Sequence, residues 1–159
     1  MFGFGKKKST SHSEHKASKT VVKPFNYHLK VILAWVKSLE GDDNFTNYLQ
    51  NNNFGELVMV QHAIALNDQA RNWLMENGYA HVMAMINAAE GNAQALRWLK
   101  VNGFDLFYNM ALAIDGESEG FKWINKHSTQ DIFLLTKTIK DIKDNIEEEN
   151  NDIHLRSTR

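Results

Sequence analysis

Few residues of this 159-residue chain have the spacing of reactive groups. His12 and His15 stand three apart, a spacing that can chelate a metal ion, but two imidazoles without a further ligand in a structured frame do not make a site. His62 and His81 fall in different columns of successive helical segments, and neither has the adjacent Glu of a zinc-protease helix. They read as exposed or partly buried helical histidines. The acid pairs Asp42–Asp43 and Glu117–Glu119 could act as general acid and base only if two carboxylates faced each other across a cleft. At turns they have a simpler role, capping helix N-termini. Trp73, Trp98 and Trp123 could stack on bases or sugars, but helical spacing assigns them to the core, where Trp98→Ala would cost about 3–5 kcal/mol. The sequence has no phosphate loop, dinucleotide fingerprint, nucleophile elbow or paired-histidine zinc motif. The reading is therefore non-enzymatic: no catalytic residue, metal, cofactor or evident small-molecule substrate. An enzyme would need a cleft between units where histidines and acids converge.

Charge is unevenly distributed. The net charge is −1, but residues 1–30 hold seven lysines and a single acid, Glu14, so the rest of the chain is acidic. Lys6, Lys7 and Lys8, beside Phe2 and Phe4, could touch an anionic membrane surface or nucleic acid. Against that stands a tail, 1–22, that only keeps the chain in solution; it holds too few apolar residues to order itself. The chain has no cysteine, no apolar run of membrane-spanning length, and Phe rather than Gly at position 2. These features point to a cytoplasmic protein.

The elements that must position any site repeat along the chain. Tyr48, Trp73, Trp98 and Trp123 are spaced 25 residues apart, and each precedes an aliphatic residue: Leu49, Leu74, Leu99 and Ile124. A fixed period of this size marks stacked supersecondary units. After each aromatic come Asn52, Asn77, Asn102 and His127, then Asn53, Gly78, Gly103 and Ser128, a helix-ending pattern. Leu57, Val82, Phe107 and Ile132, with Ala63, Ala88, Ala113 and Thr138, then trace the buried stripe of a second helix. Gly91 and Gly116 close the unit, and Asp68, Asn92 or Glu117 opens the next. The register extends back to a capping helix over about 25–40 that starts near Pro24, and forward to a last helix over about 129–146. The prediction is an all-α, short right-handed α-solenoid of helical hairpins over 23–146, between the basic tail 1–22 and a polar tail 147–159.

The segment Ala88 to Asp105 resembles the helix–turn–helix part of an ankyrin repeat. Ala88-Ala89, Gly91, Leu96-Arg97-Trp98-Leu99 and Gly103-Phe104-Asp105 follow the ankyrin order, with a weaker copy from Ala113 through Gly116 to Ile124. The unit is shorter than the ankyrin 33 and lacks its Thr-Pro-Leu-His start and β-hairpin. The resemblance implies a binding surface on the second helix of each unit. There the columns Met59 and His62, Ala84 and Asn87, Asn109 and Leu112 keep their place but change chemistry, as recognition positions do and as freely drifting exposed positions do. The partner expected on that face is a protein or peptide. The alternative is an adaptor tethered by its lysine-rich arm.

Overall fold

The computed structural model describes residues 21–157. Among the described residues there are nine α-helices and no strand. An extended segment, 21–28, leads into α1 (Leu29–Leu39). Then come α2 (Asp43–Asn51), α3 (Gly55–Ile64), α4 (Asp68–Glu76), α5 (Ala80–Ala89), α6 (Ala93–Val101), α7 (Asp105–Ile114), α8 (Ser118–His127) and α9 (Gln130–Ser157). Consecutive helices pack as hairpins. The helical repeat expected from the 25-residue period is what the chain builds.

Local capping explains the boundaries. Asp42, Asn67 and Asn92, one per repeat, accept hydrogen bonds from the backbone N–H groups of Asn44, Ala70 and Ala95. Asn67 thus opens α4, and Asp68 is its first-turn acid rather than its cap. At the other end, the side-chain amides of Asn52, Asn77 and Asn102 donate to the carbonyls of Tyr48, Trp73 and Trp98. One turn position adopts positive φ in every unit, at Gly41, Leu66, Gly91 and Gly116. Leu66 is the odd member: its φ of 65° places a Cβ against the carbonyl oxygen in the left-handed region.

Odd-numbered helices form an inner layer that carries most of the core, and even-numbered helices lie outside it. Each outer helix inserts one aliphatic side chain. Leu49, Leu74, Leu99 and Ile124 are all 0% exposed. The preceding aromatics are not the core: Trp73, Trp98 and Trp123 are half-buried and Tyr48 is 42% exposed. Successive helical residues point about 100° apart, so only one of the pair can aim inward. The indoles instead lie over the next turn, Trp73 stacked on Tyr79 at 5.8 Å and Trp98 on Phe104 at 5.4 Å.

The inner layer closes on itself. α1 packs against α9, just as α5 packs against α7 and α7 against α9. The inner helices point the same way, because Ile64, Ala89 and Ile114, at their C-terminal ends, line one small cavity with Ile139. Their N-terminal ends meet the extended segment. There the Lys23 N–H donates to the Gly78 carbonyl at 2.9 Å, Phe25 packs edge-on against Phe107, and the Tyr27 hydroxyl donates to Glu56 at 2.9 Å. Pro24 therefore sits in an extended strap rather than in a first helical turn, and α1 begins at Leu29 behind the His28 cap. At the other terminus α9 runs on to Ser157, where a polar tail from 147 was expected. Ion pairs one turn apart, Lys137–Asp141, Lys140–Asp144 and Lys143–Glu147, support its exposed length.

Two stability outcomes follow. Leu99→Ala should cost about 2–5 kcal/mol, whereas Trp98→Ala should cost clearly less, about 1–3 kcal/mol. Equal losses in urea unfolding would contradict the assignment of the buried lock to the leucine. Leu66→Gly should raise the stability by about 1 kcal/mol by removing backbone strain at a half-exposed side chain, seen as a higher urea midpoint.

Candidate functional site

The columns singled out by the sequence lie on the inner helices α3, α5 and α7. Only Ala84 and Asn87 come together in a groove. Met75 of α4 and Trp98 of α6 form its walls, with Ala80 and Ala95 leaving room between them. The Asn87 amide makes no side-chain hydrogen bond among the described residues and sits at the edge of this apolar floor. The other columns are placed differently. Asn109 is buried, and its amide donates to the Asp105 carbonyl at 2.8 Å. Gly120 lets α8 lie directly on α7 there, since a Cβ at that position would collide with the Asn109 carbonyl and the Ala113 N–H. Leu112 is half-buried, Met59 packs against the core and His62 is exposed. Met75 and Trp98 escaped the sequence reading as groove walls. The available signal was the small-residue column Ala70, Ala95 and Gly120, in which Gly120 permits backbone contact between α8 and α7.

A second groove runs along the join between α1 and α9. Leu33 and Ala34 of α1, Phe45 of α2 and Leu134 of α9 line it, with Lys30, Lys37 and Glu40 at its edge. Leu33, Phe45 and Leu134 are 39%, 37% and 40% exposed. Phe45 stands in the column that holds Ala70, Ala95 and Gly120 in the other outer helices, and its ring adds apolar surface to this groove.

His81 is the unusual titratable group. It is 2% exposed, not the surface or partly buried histidine expected, and neither ring nitrogen has a hydrogen-bond partner. Its ring lies between Tyr79, Phe104 and Phe107, under the strap. The charged groups near it are Lys23, whose ammonium lies over the Tyr79 ring, and Asp105 on the edge of the same cleft. Burial pushes the His81 pKa down, with the Lys23 backbone working weakly against it. Burial likewise pushes the Tyr27 phenol up, reinforced by its bond to Glu56. Both groups are neutral at neutral pH and act as packing elements.

Among the described residues, no three His, Asp or Glu side chains gather as a metal would require. Asp42 is spent as a cap and Glu119 pairs with Lys122. No helix among the described residues is long and apolar enough to cross a membrane. Lys6, Lys7, Lys8, His12 and His15 lie outside the described residues.

The fold defines an all-α helical repeat protein, with helices paired in sequence order. No known family model matches the chain, and no curated protein or solved structure is a significant match to it.

The buried imidazole makes a pH prediction. The folded pKa lies below the unfolded value near 6.5. The unfolded chain therefore binds the proton first, and stability present above about pH 6.5 declines as the pH falls, at a limiting slope of about 1.4 kcal/mol per unit. His81→Leu places in α5 the residue that α7 carries in the same register, Leu106. The variant should show a flatter fall in urea midpoint between about pH 7 and about pH 5.5 than the wild type. Identical profiles would remove His81 as the cause.

Proposed function

We propose that the chain is a non-enzymatic protein-interaction module that holds an extended peptide segment in the groove between α4 and α6. The observation that carries this reading is the groove itself. Ala70 and Gly120 are buried where α4 and α8 meet their inner partners, whereas Ala95 is only half-buried. α6 therefore leaves the Ala80–Ala84 floor open, walled by Met75 and Trp98. A thioether and an indole over small residues suit one apolar side chain. The Asn87 amide suits a peptide backbone, since it both donates and accepts. The ankyrin-like order from Ala88 to Asp105 supports the same reading, because helical repeats bind through such changing columns. The absence of cysteine fits a reducing, cytoplasmic setting.

Affinity capture with the full chain as bait tests it. A partner held by the wild type should be lost with Ala84→Glu, which buries a charge in the groove, and weakened about fivefold or more with Asn87→Ala. His62→Ala, on an exposed position of α3, should leave capture unchanged. A partner retained equally by every groove variant would move the site elsewhere.

A further inference from the structure

We infer that the seam between α1 and α9 is a docking site for a single amphipathic helix of a partner protein, flanked by acids, which takes the place of a fifth outer helix that the described residues do not supply. The proposal shares with the preceding reading only that the chain is a binding module, and it concerns a different surface.

The repeat itself shows what the seam lacks. α2 covers the junction of α1 and α3, α4 that of α3 and α5, α6 that of α5 and α7, and α8 that of α7 and α9. Closure of the inner layer creates one more junction, α9 with α1, and no outer helix covers it among the described residues. The register names the residue that should lock such a helix in place. Leu49, Leu74, Leu99 and Ile124 recur at 25 residues, and the same step back from Leu49 reaches Pro24. A proline in a helix interior removes a hydrogen bond and clashes with the preceding turn, at about 3 kcal/mol or more. Residues 21–28 are extended instead and are held across the N-terminal ends of the inner helices, at Gly78, Phe107 and Glu56. The strap cannot cover the seam while it stays there.

The exposed residues match an outer-helix seat. Lys30, Ala34, Lys37 and Phe45 stand in the same register as Ala80, Ala84, Asn87 and Ala95, which line the groove between α4 and α6. There the preceding outer helix supplies Met75 as a wall. At the seam that wall is absent, and Leu33 and Leu134 are left partly open to water. The occupant is defined by its four counterparts: a helix of nine or ten residues with one aliphatic side chain just after an aromatic, running antiparallel to α1 and α9. Charge selects its flanks. Lys37 is paired at 2.7 Å with Glu40, which lines the same groove, whereas Lys30 pairs with no acid among the described residues, so the rim favours an acidic side chain beside Lys30.

A fluorescein-labelled, hydrocarbon-stapled peptide of residues 42–53, carrying Gln50→Glu, is the probe; the staple offsets the poor helicity of short peptides. It should bind the full chain saturably in anisotropy titrations, and a scrambled peptide should not. Leu33→Glu and Leu134→Glu should each weaken binding about tenfold or more, and Lys30→Glu several-fold with a reduced salt dependence. Ala84→Glu should leave the peptide's affinity unchanged, so failure here and failure of the groove reading are separable. Leu33 and Leu134 are 39% and 40% exposed, so a charge at either position stays in reach of water, and each variant is checked for wild-type helicity. Backbone amide shifts of the wild-type chain with added peptide provide a readout that needs no variant, and they should cluster at Leu33, Phe45 and Leu134. Absence of saturable binding, or binding that both leucine variants spare, overturns the proposal. A concentration-dependent dimer of the chain that either leucine substitution dissolves would give the seam to a second copy and also overturn it.

Discussion

The contact between each outer helix and the inner pair beneath it, made through one fully buried aliphatic side chain, is the interaction on which the rest of the molecule depends. An outer helix of nine or ten residues is too short to persist alone in water. Leu49, Leu74, Leu99 and Ile124 tie these helices down at a constant interval, and the turns that enter the outer helices keep one length. The caps then become repetitive as well, with Asp42, Asn67 and Asn92 at one end and Asn52, Asn77 and Asn102 at the other. Packing and local hydrogen bonding select the same boundaries, which is the condition for a sequence to favour one structure.

Aligning the inner helices in one sense has an electrostatic consequence. Their N-terminal ends gather on one side and their C-terminal ends on the other, so the helix dipoles add. The charged residues follow that polarity at the N-terminal ends, while at the C-terminal ends the acids Glu40, Glu90 and Asp115 are each paired with a base. Glu56, Asp105 and Asp131 occupy first turns. At the opposite end Arg71 donates to the Ala63 carbonyl, where α3 finishes, and pairs with Glu90 at the end of α5. Lys143 meets Asp115 at the end of α7; burial opposes its charge, but Glu147 and Asp115 keep its pKa raised. The strap covers the N-terminal side with aromatic rings. Its cost is visible in polar atoms left without partners, the two nitrogens of His81 and the indole N–H of Trp35.

The two grooves are variations on one seat, and their difference comes from what stands at equivalent positions. Between α4 and α6 an alanine, Ala95, leaves the inner helix reachable. At the seam a phenylalanine, Phe45, and an uncovered junction leave a wider apolar surface edged by Lys30 and by the Lys37–Glu40 pair. Between α7 and α8 the same position is Gly120, and backbone contact leaves no groove. A protein built from repeats can in this way carry sites of different depth without altering its scaffold.

The helices, their period, the caps at Asp42 and Asn92 and the glycine turn positions were legible in the sequence, because they depend on side chains acting within a few residues of themselves, whereas the Asn67 cap and the left-handed Leu66 were not. The choice between Trp98 and Leu99 as the buried residue was not, since both satisfy the same helical stripe and only the direction of the neighbouring helix decides. The burial of His81 and of Asn109 was hidden for the same reason: one lies under the strap and the other under α8, and neither neighbour is close in sequence. Local pattern also suggested a helix from about 25, but Phe25 and Tyr27 gain more from Phe107 and Glu56, far along the chain, than from another helical turn. The joining of α1 to α9, and with it the open seam, belongs to the tertiary structure alone. Small rotations between successive hairpins accumulate over the whole chain, and no residue records their sum.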